Sequence, residues 1–242
     1  SSDLWNLLHF NLGASLANGH DVWADIATAF PKTLSIVLLA SFFQIIFIIG
    51  LSCAAFLCPH KAAKKMVRLF CILGVSIPSF YVATVYLDYF AVQKSLISVA
   101  GNITLISYIS PALCIGIFGA SFYTPLLMDA LNNESVEDYA FYARCRGLSE
   151  IRLLFFHFLP RAVIGLIPNF LQSIGLALAN ATIIESIFSI PGFGYLIVNH
   201  VLDHDTPMIH AEVFFLALAI ALCNIAADFA QWTIGSKKAV MY

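Results

Sequence analysis

The sequence predicts an all-α fold, a polytopic bundle of helices that span a membrane. Three observations carry that expectation. Of 242 residues, 60% are hydrophobic and 11% are charged, and the mean hydropathy is +0.88, which no ordinary water-soluble domain shows. Five stretches, near 34–57, 67–92, 103–130, 162–185 and 209–234, are apolar over about the 20 residues a helix needs to cross a bilayer. The basic residues, finally, are sorted between the connecting segments rather than scattered.

In chain order, residues 1–33 mix short apolar patches with His9, Asn11, Gly13, Asn18, Gly19 and His20, and are expected outside the membrane. Lys61, Lys64, Lys65 and Arg68 separate the first two spans. Arg144, Arg146, Arg152 and Arg161 separate the third and fourth, and Lys237 and Lys238 follow the fifth. Only Lys32 and Lys94 lie elsewhere, and residues 186–208 hold no Lys or Arg. Ten of the 12 basic residues thus share one side, which the positive-inside rule makes the cytoplasm. The expected layout is an extracytoplasmic segment 1–33, a transmembrane domain 34–234 and a cytoplasmic tail 235–242. Within the domain, a cytoplasmic loop covers 131–161 and an extracytoplasmic loop covers 186–208. Pro78, Pro111, Pro125 and Pro168 interrupt the spans, where neighbouring helices and water can satisfy the freed carbonyls. An outside N-terminus with no basic-then-apolar export signal predicts a further membrane helix upstream of residue 1.

Several function classes are excluded. A net charge of −2 gives no basic footprint for nucleic acid. None of the six cysteines has CxxC spacing, and most fall in apolar stretches as small buried hydrophobes. No GxxxxGK[ST] loop occurs, so the chain has no phosphate cradle of its own.

The most informative stretch is residues 137–160, EDYAFYARCRGLSEIRLLFFHFLP. Asn132, Asn133 and Ser135 offer helix starts, and Ser135 with Asp138 has capping-box spacing. Tyr139, Ala140, Ala143 and Gly147 recur on one narrow helical face made mostly of small side chains. Gly147 suits a left-handed helix end. Ser149 caps a second short helix running towards His157, and Pro160 is expected to end it. Two short helices joined at a glycine on a membrane face make a docking surface rather than a catalytic pocket.

The same stretch resembles the cytoplasmic loop of bacterial ABC-importer membrane subunits. Its pattern there is Glu-Ala-Ala, three residues, Gly, nine residues, Ile, one residue, Leu-Pro. With Gly147 on the pattern's Gly, Ala143 falls on its second Ala, and Leu159 and Pro160 fall on its Leu-Pro. Phe141, Tyr142 and His157 depart from it. ARCRGLSEIRLLFFHFLP is similar to the dipeptide, oligopeptide and nickel branch. So are LGVSIPSF at 73–80, ESIFSIPGFGYL at 185–196, Asp205 with Pro207, and Asn224 with Asp228. FNLGASLANGHDV looks like the family's stretch after a first helix, while the tail GSKKAVMY departs from the usual Asp-Pro-Arg ending. The resemblance implies six helices in the full pattern, five of them here, in a bacterial inner membrane. It implies a second homologous permease, an extracytoplasmic substrate-binding protein and two ATP-binding subunits. Those subunits would hold ATP and Mg, with no cofactor on this chain. The coupling contact would fall on Tyr139, Ala140, Ala143, Arg144, Arg146, Gly147, Leu159 and Pro160. The cargo it implies is a peptide, or nickel or a metal chelate.

Polar residues inside the spans complete the candidates. Charge at membrane depth costs about 2.5 kcal/mol or more, which singles out Asp88, Glu185, Glu212 and Asp228 as cavity-lining or as solvated span ends. Gln44, Asn169, Gln172, Ser173 and Asn180, with Glu185, either line a pathway or bond helix to helix. His200 and His204, four apart and beside Asp203 and Asp205, could hold a borderline divalent ion or sit in a solvated loop. Two other classes fit less well. An intramembrane hydrolase built on Ser121 and His210 would place nucleophile and base on distant levels of the membrane. An ion-coupled secondary transporter using Asp88 or Asp228 leaves the loop spacing unexplained.

Overall fold

The structure, a computed structural model, describes residue 19, residues 21–93 and residues 105–240. Most of FNLGASLANGHDV, with His9, His20 and Lys94, lies outside the described residues. Among the described residues the helices are α1 Val22–Leu57, α2 Lys61–Ser76, α3 Ser79–Leu87, α4 Leu105–Ser135, α5 Asp138–Cys145, α6 Glu150–Leu153, α7 Leu159–Ile187, α8 Phe193–Leu202 and α9 Thr206–Val240. Wider π-helical turns follow α3 at Asp88–Gln93 and join α6 to α7 at Leu154–Phe158. Four helical runs are long and apolar enough to cross a bilayer: Val22–Leu57, Ser107–Ser135, Glu150–Ile187 and Thr206–Ile234. The bent pair α2 and α3 is a fifth if counted as one broken span.

Three boundaries differ from expectation. The second span, expected as one helix over 67–92, breaks at Ile77 and Pro78. Proline lacks an N–H and pushes the residue before it out of the α region. Ile77 is accordingly extended, with φ −93° and ψ 124°. The other prolines do not divide their spans: Pro31, Pro111, Pro125 and Pro168 all lie inside continuous helices. The first span begins at Val22 rather than 34. Asp21 Oδ1 accepts the Trp23 N–H at 3.1 Å and caps the helix, and Asp25 lies in its positive first turn. Val22, Ile26, Ala29 and Thr33 then repeat on one buried face. At the other end, α9 continues to Val240, into the expected tail.

The chain forms two compact units, and each long helix contributes to both. The first contains residues up to Ser41, Ser79–Ile115 and Ile174–Leu222. Val22, Ile26 and Ala29 of α1 pack there with Phe193, Ile197, Met208 and Ala211. Phe30, Phe193 and Phe215 meet beside them, with Phe30 edge-on to both partners at centroid distances of 5.9 and 4.9 Å. The second unit contains Phe42–Pro78, Gly116–Ser173 and the chain from Cys223 onward. There α2 runs antiparallel along α4: Lys64 reaches Asn132, Arg68 pairs with Asp129, and Gly74 lies against the Ser121 side chain. Leu127 and Leu131 of α4 form the core of this unit with Ala140, Leu153, Leu154 and Phe158.

Candidate functional site

The loop after α4 is built differently from its sequence reading. Asn132, Asn133 and Ser135 are the last turn of α4, not the start of the next helix. Ser135 Oγ donates to the Asn132 carbonyl at 2.7 Å, so the expected capping box with Asp138 does not form. The residue at the N-cap of α5 is Glu137, and its side chain makes no capping bond.

At the far end of α5 the expected glycine stop is present. Gly147 has φ +80°, its N–H donates to the Arg144 carbonyl at 2.9 Å, and the Leu148 N–H donates to the Ala143 carbonyl at 3.2 Å. This pair of bonds is the Schellman arrangement, which closes the open carbonyls of a helix end. Ser149 then precedes α6 in extended conformation but caps it without a side-chain bond. Pro160 does not end a helix. The path stays helical from Glu150 to Ile187, with the π-helical turn Leu154–Phe158 just ahead of the proline. A wider turn there accommodates the missing N–H of Pro160 and its ring, so the expected break becomes a bulge.

The small face of α5 points inward. Ala140 is fully buried, and Tyr139 and Ala143 pack against the same cluster as Leu153 and Phe158. The Tyr139 hydroxyl donates to Glu134 Oε2 at 2.6 Å, and the Arg161 guanidinium lies 4.1 Å from its ring centre. Burial, then the Glu134 carboxylate, push the Tyr139 phenol well above its ordinary pKa. Arg144 is a clamp within the loop. It grips Glu150 through Nε and Nη2 at 2.6 and 3.3 Å and donates from Nη1 to the Ser135 carbonyl at 2.8 Å, tying α4, α5 and α6 together. Glu150 raises the already high pKa of this guanidinium. Among the described residues Arg146 has no such partner, and it is exposed. Leu159 packs on the core cluster, while Pro160 is exposed.

The outward face is the one the sequence reading missed. Phe141, Tyr142 and Phe156 are 63, 66 and 74% exposed, and Val136 and Ile151 are exposed beside them in the sequence. A signal was available. A helix that lies against its own bundle needs small side chains beneath it, so Ala140 and Ala143 mark the inner face. Residues about 100° to 200° round the helix must then face out. Phe141 and Tyr142 are also the two positions of α5 that depart from the resembled pattern.

The pathway candidates divide into two groups. Gln44 Nε2 donates to Ser173 Oγ at 3.1 Å, in a space kept open by Gly119, whose added Cβ would stand 2.6 Å from Gln44 Oε1. Ser79 Oγ donates to Asn180 Oδ1 at 2.9 Å. Gln44, Ser173 and Asn180 therefore bond helix to helix. Asn169 and Gln172 instead line a polar cleft with Asn224, Asp228 and Gln231.

Glu185 is fully buried and has a structural task. Its Oε2 accepts the Gly194 N–H at 2.8 Å, and Thr33 Oγ1 accepts the Phe193 N–H at 2.8 Å, so two side chains cap the start of α8. Ser189, with φ +52°, ends α7, and Pro191 sits in a tight turn closed by the Gly192 N–H on the Ile190 carbonyl at 2.7 Å. Gly192 and Gly194 serve close approach: a Cβ on Gly192 would collide with the Glu185 carboxylate, and one on Gly194 with the Thr182 backbone. Lys32 joins the same corner by donating to the Pro191 carbonyl at 3.2 Å.

The two histidines do not share a helix face. His200 Nδ1 lies 2.9 Å from Oε1 of the fully buried Glu212. His204 lies beyond the end of α8 with φ +56° and is exposed. Among the described residues no group of three or more His, Cys, Asp or Glu is placed to hold a metal ion. Ser121, the hydrolase candidate, is buried and donates to the Ile117 carbonyl at 2.9 Å.

A bundle of long apolar helices, with a polar loop that packs Ala140, Leu153 and Phe158 against α4, defines a polytopic membrane subunit. Residues 46–238 match the family of binding-protein-dependent transport system inner membrane components, and the chain belongs to it. It is 29% identical over 225 residues to the metal-staphylopine import system permease protein CntB of Staphylococcus aureus, covering 93% of this chain and 72% of that one. It is also 29% identical over 236 residues to a putative peptide transport system permease of Brucella abortus, covering 93% of this chain and 74% of that one. Its fold is shared with the MetNI methionine ABC transporter in inward-facing conformations, with a TM-score of 0.67 at 14% identity over 87% of this chain and 96% of that one. The chain is thus a multi-pass inner-membrane permease subunit of an ABC importer, a class that works with separate ATPase and substrate-binding subunits.

Proposed function

We propose that this chain forms half of the membrane pathway of a peptide importer, beside a second, homologous permease. Two ATP-binding subunits, carrying ATP and Mg, would each take one coupling loop, and an extracytoplasmic binding protein would deliver the cargo. The observation that carries the coupling role is the exposed pair Phe141 and Tyr142 on α5, which lies outside the candidate spans, with Phe156 exposed near the start of the helical run that follows. Apolar side chains so placed gain no lipid, and aromatic anchors of this kind dominate protein interfaces. Peptide cargo is supported by the description of the Brucella relative. Metal-chelate cargo has the Staphylococcus relative in its favour, but the bond of His200 to Glu212 and the place of His204 past the end of α8 give a metal contact at this pair no support.

The test is a chain carrying Phe141→Ala and Tyr142→Ala, expressed with its partner subunits. Membrane insertion should be unchanged, because no span is altered. Recovery of the ATP-binding subunits with the purified chain should fall by about tenfold or more, as for loss of interface anchors. Normal recovery together with normal ATP-driven uptake would remove the coupling role from this face.

A further inference from the structure

The cleft in the second unit calls for a ligand. Asn169 and Gln172 stand three apart on α7, and Asn224, Asp228 and Gln231 stand four and three apart on α9, so each helix turns one polar stripe into the same space. That space measures about 450 Å³, within the range of about 300–1,000 Å³ common for small-ligand sites. Among the described residues none of these five side chains has a hydrogen-bond or ion-pair partner. Other polar side chains of the bundle are paired, as in Gln44 with Ser173, Asn180 with Ser79 and Glu212 with His200. Polar groups at membrane depth are costly when left unsatisfied, and ionisable ones there mark the paths of substrates and ions. Gly165 and Pro168, which carry little bulk, form the rest of the α7 wall and leave the stripe accessible.

The chemistry of the lining selects the ligand. Among the described side chains it holds one carboxylate, Asp228, and no Lys, Arg or His. Its four amide side chains each offer both an N–H donor and a C=O acceptor, the same pair that a peptide group offers in return. A cation bearing amide groups complements that set, and an anion does not. We propose that the cleft binds the amino-terminal end of a peptide, with Asp228 on its ammonium group and Asn169, Gln172, Asn224 and Gln231 on its first peptide groups. This inference rests on the peptide-importer reading above, and adds which end of the cargo is recognised and by which side chains.

The test uses the complete complex with its partner subunits in lipid nanodiscs, without the binding protein, and trialanine and N-acetyl-trialanine as probes. Acetylation removes the positive charge and leaves the peptide groups in place, so it tests the charge contact with no change to the protein. Trialanine should bind about tenfold more tightly than its acetylated form, as for loss of a charge-assisted hydrogen bond. Asp228→Asn should abolish that preference, and Asp228→Glu should retain part of it. Equal binding of the two peptides, binding of neither, or a preference that survives Asp228→Asn would each overturn the proposal. So would a second permease whose own Lys or Arg is found to occupy the cleft. Uptake of trialanine into proteoliposomes containing the binding protein separates the two readings. Uptake without cleft binding leaves the importer reading and removes this site, whereas cleft binding without uptake keeps the site and removes peptide import.

Discussion

At Gly147 an added side chain would meet open space, since nothing lies within 4 Å of where its Cβ would stand. Alanine there is penalised only through the φ of +80°, at about 1 kcal/mol, and asparagine should cost less. Gly194 is the reverse case. Its φ is ordinary, but a Cβ would overlap the Thr182 backbone, which has no rotamer with which to escape. Thermal unfolding of the purified complex should therefore show a modest loss for Gly147→Ala and a larger one for Gly194→Ala, and equal losses would refute this assignment. His204, an L residue held at φ +56°, supplies the opposite sign: His204→Gly should raise the unfolding temperature by relieving up to about 1 kcal/mol. Glu185→Gln keeps an acceptor for the Gly194 N–H, whereas Glu185→Ala strands it, at a cost of about 1–3 kcal/mol.

Among the elements, α5 and α6 depend on Arg144, whose two bonds to Glu150 and third to Ser135 need the planar fork of a guanidinium. Arg144→Lys keeps the charge and loses the fork. Because the pair is roughly half exposed, stability should fall by no more than about 1 kcal/mol, while ATP hydrolysis should become less dependent on cargo. Unchanged cargo dependence in a stimulated ATPase assay would count against the clamp. The long spans and the Gly147 stop were legible because hydropathy and a left-handed glycine leave direct marks on a sequence. What escaped was orientation about a helix axis. Tyr139, Ala140 and Ala143 read as a contact face whichever way they point, and only packing against Leu153 and Phe158 shows that they point in. The same ambiguity hid the division of the α7 polar residues, since Gln172 and Ser173 are adjacent in sequence yet one faces the cleft and the other faces Gln44. At the corner after α7, Gly192 and Gly194 are needed for close approach as well as for the turn, since they let Glu185 and Thr182 come near, and composition alone does not show that.

For the whole molecule, the distribution of Lys and Arg predicts through the positive-inside rule that the segments of α2, α5 and α6 are reached from the cytoplasm and the segment of α8 from outside. In a cysteine-free background, Lys65→Cys and Asp203→Cys should react with a membrane-impermeant maleimide from opposite faces of sealed vesicles. Labelling of both from one face would overturn that arrangement. The route from the loop into the bundle has a mechanical side as well. From Glu150 to Ile187 the backbone is one helical run of 38 residues, with no coil between the exposed Phe156 and the membrane. A loop on a flexible tether would absorb a push from outside. A continuous helix would instead pass the push on, and the π-helical turn at Leu154–Phe158 and the hydrogen bond missing at Pro168 are the places along it where a load would be relieved by rotation.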